Sequence, residues 1–221
     1  MQILVTGGSG MLGRQIIRLL KERKIPYLAP THSQMDITKA ESVRDYFMSH
    51  HPDVVIHCAA WTQVDLAESK PAECMAVNAL GTQHIATAVR FSNAKLLYVS
   101  TDYVFGDGDP AAPHEPKETP APLNIYGLSK LQGEYAVRSL LSRWFIVRAG
   151  WVYDPEYPGF VRSILHRADQ KQSLRVVNDQ IGSPTWVCDL APALLDLAMT
   201  ENFGYHAAVP DGSCTWYDFA R

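Results

Sequence analysis

The stretch Thr6-Gly7-Gly8-Ser9-Gly10-Met11-Leu12-Gly13 decides the fold class. It follows the apolar run Ile3-Leu4-Val5 and leads into residues 10–22, where Leu12, Ile16, Leu19 and Leu20 recur on one helical face. Small residues at a strand-to-helix junction let the backbone pass close to a pyrophosphate. The free N–H groups and dipole of the helix start favour that anion, and Gly13 lets the helix pack tightly on the sheet. A glycine pattern elsewhere would be no more than a tight turn; at the first strand-to-helix junction it has the context that a dinucleotide-binding turn requires.

Working outward, the same alternation recurs. Apolar runs at 54–56, 95–99 and 144–147 read as buried strands, and 27–29 as a weaker one. Helices are expected over 40–49, 71–91 and 125–141, with a Pro- and Gly-rich loop over 106–122. Short apolar strands separated by helices imply parallel βαβ units covered on both faces, and right-handed crossovers make the sheet doubly wound. The fold class is therefore α/β, a Rossmann-like doubly wound parallel sheet over 1–150. Residues 151–221 read as a turn at 153–159, a helix, a strand near 174–177 and a helix over 188–199. A small C-terminal substrate lobe beside the sheet is expected there, its segments free to interleave with the first part.

The chain has 221 residues, 47% hydrophobic and 19% charged, with a net charge of −3. Bulk disorder does not fit that composition, and without a basic excess nucleic acid is not an expected partner. No apolar run approaches the roughly 18 residues that cross a bilayer, so no membrane is expected either. Met1-Gln2-Ile3-Leu4-Val5 lacks the basic region of a signal peptide. Cys58, Cys74, Cys188 and Cys214 are scattered without a CxxC pair. Neither a metal site nor a disulfide framework is expected, and a cytoplasmic protein with reduced thiols is.

The glycine spacing, GxxGxxG from Gly7, departs from the GxGxxG of ordinary NAD-binding turns, which place an acid about 20 residues on to hold the ribose 2′-hydroxyl. Here the second strand runs out in Ala29-Pro30-Thr31-His32-Ser33, with no acid until Asp36. Nothing there repels a 2′-phosphate, so NADPH is expected and NADH allowed. Arg14, His32 and Ser33 either approach that phosphate or simply face solvent.

Tyr126-Gly127-Leu128-Ser129-Lys130 opens the helix after the long loop. Tyr and Lys at i and i+4 share a helix face. A nearby ammonium is expected to stabilise the phenolate and lower a pKa that is otherwise about 10. Ser100-Thr101 stands at the end of the fourth strand, where such sheets bind ligands. Its hydroxyl is placed to hold a carbonyl beside the Tyr.

Taken with Met35-Asp36-Ile37-Thr38, Ala59-Ala60-Trp61-Thr62-Gln63-Val64-Asp65, Ser100-Thr101-Asp102-Tyr103-Val104-Phe105, Trp151-Val152-Tyr153 and Asn178-Asp179-Gln180-Ile181-Gly182-Ser183-Pro184-Thr185, these motifs resemble the extended short-chain dehydrogenase/reductase superfamily. Within it they resemble the dTDP-4-dehydrorhamnose reductase family over nearly the whole chain. The resemblance implies NAD(P)H-dependent reduction of the C4 keto group of dTDP-4-dehydro-6-deoxy-L-mannose to dTDP-L-rhamnose. It implies Thr101, Tyr126 and Lys130 as the catalytic residues. It places the cofactor at Gly7, Gly10, Met11, Leu12, Gly13, Asp36, Ile37, Ala60, Trp61, Thr62, Val99, Tyr126 and Lys130. It places the deoxysugar at Thr101, Asp102, Tyr103 and Trp151, of which Tyr103 and Trp151 also read as core aromatics. A homodimer is compatible with it.

The chain departs from the family pattern at His57-Cys58-Ala59-Ala60, where Asn-Ala-Ala-Ala is usual, and at Arg148-Ala149-Gly150-Trp151, where Arg-Thr-Ser-Trp is usual. Two other readings share the fold. One is a different nucleotide-sugar epimerase, dehydratase or reductase, although Tyr103 follows Asp102 where a dehydratase would want a second acid. The other is a non-catalytic NADP-binding regulatory subunit resembling that of methionine adenosyltransferase, which lacks the Trp-Val-Tyr segment. Ser213 or Thr215 reads as the cap of a final helix of about seven residues, marginal in length unless packed. A chain shortened relative to its family, with an open sugar pocket, is the expectation from that end.

Overall fold

The computed structural model describes residues 1–106, 112–170 and 173–221. Five parallel strands come first: β1 (Ile3–Thr6), β2 (Tyr27–Leu28), β3 (Val54–His57), β4 (Lys95–Thr101) and β5 (Trp144–Ala149). A later strand, β9 (Gly204–Ala207), pairs in parallel with β5, giving the order β2-β1-β3-β4-β5-β9. Side chains alternate across each strand. Ile3, Val5, Val54, Ile56, Leu97, Phe145 and Val147 build one core with Ile16 and Leu20 of α1 (Met11–Glu22) and Leu190, Leu194 and Leu195 of α8 (Val187–Ala198). Leu4, Val55, Leu96, Tyr98 and Ile146 point the other way. They meet Val43 and Phe47 of α2 (Ala40–His50), Ile85 and Val89 of α5 (Thr82–Ser92) and Val137 of α6 (Ile125–Leu140). The result is three layers with the sheet buried between helices.

Several local expectations change. The helix expected over 71–91 is α4 (Pro71–Met75), a π-helical stretch Ala76–Gly81, and α5. It is preceded by α3 (Val64–Ser69), which no apolar stripe announces. Residues 174–177 form no strand; Val177 is exposed, and its carbonyl accepts one bond from the Tyr217 N–H. Part of the loop expected over 106–122, residues 107–111, lies outside the described residues.

Between β5 and α8 the chain builds β6 (Val152–Tyr153), α7 (Phe160–Asp169), β7 (Ile181–Gly182) and β8 (Thr185–Trp186). Beyond β9 it adds β10 (Cys214–Thr215) and α9 (Trp216–Phe219). β6 pairs with β8 and β7 with β10. The crossover from β5 to β9 thus carries the small lobe, while α8 and β9 complete the sheet layer. Helix α9 is four residues long, and its cap is Thr215, whose hydroxyl accepts from the Asp218 N–H in a capping box.

Candidate active site

The strand order reverses about β1, so the crevice of a doubly wound sheet opens beyond the carboxyl ends of β1 and β3. Gly7 leaves β1 at φ +66°. A Cβ there would stand 2.7 Å from the Ala59 nitrogen, so the turn and the segment after β3 touch only because Gly7 lacks one. A Cβ on Gly13 would overlap the Gly7 carbonyl. Gly10 is the N-cap of α1 and no side chain caps that end, leaving its N–H groups for an anion. Arg14 lies 5.7 Å from the Tyr157 ring centroid, and the Tyr157 hydroxyl donates to the Ser9 carbonyl, so residues from the lobe fold over the turn. A Cβ at Gly159 would stand 3.8 Å from Met11 Cε, so the lobe also reaches the start of α1 there.

Beyond β3, residues 58–62 form the floor of the crevice. Trp61 is held as a strand neighbour would hold it: its N–H donates to Asn78 Oδ1 (2.8 Å) and its carbonyl accepts from Asn78 Nδ2 (3.0 Å). Ala60 lies beside it and Thr62 is exposed. Asn78 sits in the π-helical stretch, a local widening often found at functional sites. Sequence reading missed it. The signal was there, because Asn78 and Gly81 are poor helix formers in the middle of an apolar helix.

Asp36 follows β2, but its carboxylate is engaged within its own turn. It accepts from the Thr38 N–H (3.0 Å) and hydroxyl (2.7 Å) and pairs with Lys39 (3.3 Å) and His32 (3.4 Å). Those contacts, Thr38 foremost, hold it below the usual carboxylate range. Ile37 is buried, and its carbonyl bonds the His84 ring.

Thr101 ends β4 and accepts from the Tyr103 N–H while its hydroxyl donates to Asp102 Oδ1 (3.0 Å). Tyr126 lies in the first turn of α6, whose N-cap Asn124 accepts from the Gly127 N–H. The Tyr126 and Tyr103 rings meet edge to face at 5.6 Å. Lys130 is buried; its ammonium donates to the Val99 carbonyl (2.7 Å) and lies 4.1 Å from the Tyr98 ring centroid. The expected lowering of the Tyr126 phenol is not found. Burial pushes it up, a hydrogen bond with Thr101 opposes the rise, and Asp102 and Tyr103 add to it. Lys130 directs its N–H at Val99 instead, and burial lowers it to about 7, with Glu134 opposing. Burial also raises the Asp102 carboxyl. A Cβ at Gly150 would stand 2.8 Å from Asp102 Oδ2, so this departure from the family pattern gives the carboxylate room.

Trp151 follows β5 at φ +42°, an uncommon backbone for a bulky residue. It stacks on Trp216 of α9 at 3.6 Å and 10°. Phe160, Phe219 and Tyr153 extend that aromatic cluster beside Met11 around a small cavity of about 60 Å³. Beneath the site lies a second polar group that sequence reading missed. Glu134 of α6 is fully buried, accepts from the Ser100 hydroxyl, and holds Arg148 at 2.7 and 3.0 Å. Arg148 also bonds the Pro116 carbonyl and lies between Phe105 and Tyr205. Among the described residues no His, Cys, Asp and Glu cluster suits a metal ion, and all four cysteines are free.

The residues fit a dinucleotide on structural grounds: Gly7 and Gly13 keep clear a cradle that Cβ atoms would fill, over a helix start no side chain caps. A family model described as RmlD substrate binding domain matches residues 1–221. A dTDP-4-dehydrorhamnose reductase of Streptomyces griseus is 42% identical over 219 residues, covering 96% of this chain and 72% of that protein. A dTDP-4-keto-6-deoxy-D-glucose reductase of Streptomyces niveus is 37% identical, with 99% and 76% covered. The crystal structure of dTDP-4-dehydrorhamnose reductase from Bacillus anthracis in complex with NADP superposes with a TM-score of 0.94 at 36% identity, covering 99% of this chain and 78% of that one. With the crevice, the strand-end hydroxyl and the Tyr-Lys helix all falling within these matches, the chain belongs to the dTDP-4-dehydrorhamnose reductase family.

Proposed function

We propose that this chain reduces the C4 keto group of dTDP-4-dehydro-6-deoxy-L-mannose to give dTDP-L-rhamnose, with NADPH preferred and NADH accepted. One observation carries the reading. Tyr126 and Lys130 lie one turn apart on α6, Lys130 bonds the Val99 carbonyl two residues before Thr101 on β4, and the Cys58–Ala59 backbone at the end of β3 packs against Gly7 of the glycine turn. Gly7, Gly10, Met11, Leu12 and Gly13 would hold the pyrophosphate, with Asp36, Ile37, Ala60, Trp61, Thr62 and Val99 along the rest of the nucleotide. Asp102, Tyr103 and Trp151 would line the sugar. Residues 1–150 would serve the nucleotide and 151–221 the sugar, apart from α8 and β9, which complete the sheet. Cytoplasmic action as a homodimer, away from nucleic acid and membrane, completes the proposal; no helix among the described residues is long and apolar enough to cross a membrane.

When bound, reduced nicotinamide supplies the hydride. The chain's own residues manage the proton and the carbonyl. Tyr126 is a neutral phenol at neutral pH, as any tyrosine is, and burial reinforces that form, which is the one reduction needs. It gives its proton to the oxygen of the developing alkoxide, a general-acid contribution of about 10²–10⁴-fold. Thr101 would turn its one hydroxyl hydrogen from Asp102 to the same oxygen and orient it. Lys130, held by the Val99 carbonyl, would bond the ribose. The test is turnover of the keto sugar with NADPH by purified protein, wild type and Tyr126→Phe. The variant should lose at least about 10²-fold in kcat and keep its NADPH affinity; near wild-type turnover would sink the mechanism.

A further inference from the structure

His57 ends β3, is fully buried and lies outside the reacting groups named above. Its Nδ1 is 2.6 Å from the Thr6 hydroxyl and its Nε2 is 3.1 Å from the Thr82 hydroxyl. The neighbours decide which nitrogen carries the hydrogen. Thr82 directs its one hydroxyl hydrogen at the Asn78 carbonyl (2.6 Å), so towards His57 it only accepts, and Nε2 carries the hydrogen. Thr6 accepts from the Ala59 N–H (3.1 Å) and has its own hydrogen free to donate to Nδ1. The imidazole's one donor and one acceptor are then both matched, and the Thr82 hydroxyl also bonds the Tyr98 hydroxyl.

Two arms leave the imidazole. The first runs through Thr6, the residue before Gly7, to the backbone of Ala59 on the crevice floor. The second runs through Thr82 and Asn78 to Ser129, whose hydroxyl donates to the Tyr126 carbonyl (2.7 Å). The geometry points to His57 as a positioning residue that locks the glycine turn on one side, and the helix start bearing Tyr126 on the other, into one fixed relation. The inference rests on the proposed cofactor site, because it assigns the first arm to nucleotide binding and the second to alignment of the proton donor. Tyr98, stacked on the ring at 5.6 Å, and Lys130 are the titratable groups facing it. Burial, with Lys130 adding to it, lowers the imidazole to about 3, so the arms keep one hydrogen-bond pattern across neutral pH.

The two nitrogens can be replaced separately. An Asn oxygen sits one bond beyond Cγ, where Nδ1 sits, and a Gln amide nitrogen sits two bonds beyond it, as Nε2 does. In the full-length protein, His57→Gln keeps the Thr82 arm and loses the Thr6 arm. It should raise the NADPH dissociation constant about tenfold, read by fluorescence titration, and leave kcat at saturating cofactor within about threefold. His57→Asn keeps the Thr6 arm; it should leave the dissociation constant within about threefold and lower kcat about tenfold. Thr6→Val and Thr82→Val, which delete one hydroxyl at nearly constant shape, should reproduce the two patterns and serve if a His57 variant fails to fold. Nitrogen-15 spectra of the histidines should show His57 as the neutral Nε2–H form. An Nδ1–H form, or variants that move both constants together or neither, would overturn the inference. Failure of wild-type protein to bind NADPH in the same titration would instead overturn the proposed function.

Discussion

His57 shows how burial turns an ionisable side chain into a fixed hydrogen-bonding part. An exposed imidazole titrates near 6.5, while in the fold burial holds this one at about 3. Between those values the unfolded chain binds a proton that the folded chain does not, so stability falls as pH drops from about 6.5 towards 3. From pH 7 to pH 5 the loss from this one group is about 2 kcal/mol. Urea unfolding at both pH values should therefore show His57→Gln losing about 2 kcal/mol less than wild type on acidification, whatever its stability at pH 7. Equal losses would mean that the imidazole is already charged in the fold. Such a role was not legible in the sequence: Thr6 and Thr82 lie 51 and 25 positions away, and only the fold brings them to the two nitrogens. Tyr126 and Lys130 were legible because their relation is local to one helix, yet the effect expected between them was not found. Which hydrogen bond an ammonium prefers depends on neighbours in space, here the Val99 carbonyl.

At the scale of elements, the buried pair Glu134–Arg148 ties α6 to β5, and its further bonds reach Ser100 on β4 and Pro116 in the long loop. Removing one member leaves the other charge in the core without a partner, which costs about 3–5 kcal/mol. Arg148→Met should lower unfolding stability by that amount, and proteolysis near residue 116 should quicken as the loop loses its anchor. A loss below about 1 kcal/mol would show the pair to be solvated in solution. Strands β1 to β5 and helices α1, α2, α6 and α8 were legible as apolar runs or stripes. β9, Gly204-Tyr205-His206-Ala207, was hidden because it is an edge strand with no apolar run, placed only by its ladder to β5. Two-residue strands such as β6, β7, β8 and β10 are too short to carry a period. The run at 174–177 misled in the opposite sense: Val176-Val177 looks like a strand, but no sheet edge receives it.

The whole molecule sets cofactor choice and its pH dependence. Beyond β2 the chain turns at Thr31–Gln34, where Gln34 accepts from the Thr31 N–H and His32 is exposed. Asp36, the acid that follows, is paired with Lys39 and has the His32 ring beside it. NADPH should bind at least as well as NADH in parallel titrations; a tenfold preference for NADH, about 1.4 kcal/mol, would contradict that reading. Lys130 adds a proton to the same equilibrium. Enclosed by β4 and α6, it is lowered by burial to about 7 in the free protein, with Glu134 foremost among the groups opposing that. A bound anionic dinucleotide favours its charged form and so raises that value. Below about pH 7 the charge is already present and binding takes up no proton there. Above it, binding must protonate Lys130, and NADH affinity should fall as pH rises, by at most about tenfold per unit for one proton. Using NADH keeps titration of the 2′-phosphate out of the measurement. Titrations at pH 6.5, 7.5 and 8.5 should show the dissociation constant rising in wild type and flat in Lys130→Met. A wild-type constant that stays flat over that range would mean that Lys130 keeps its proton throughout, and that its ammonium, not burial, governs the end of β4.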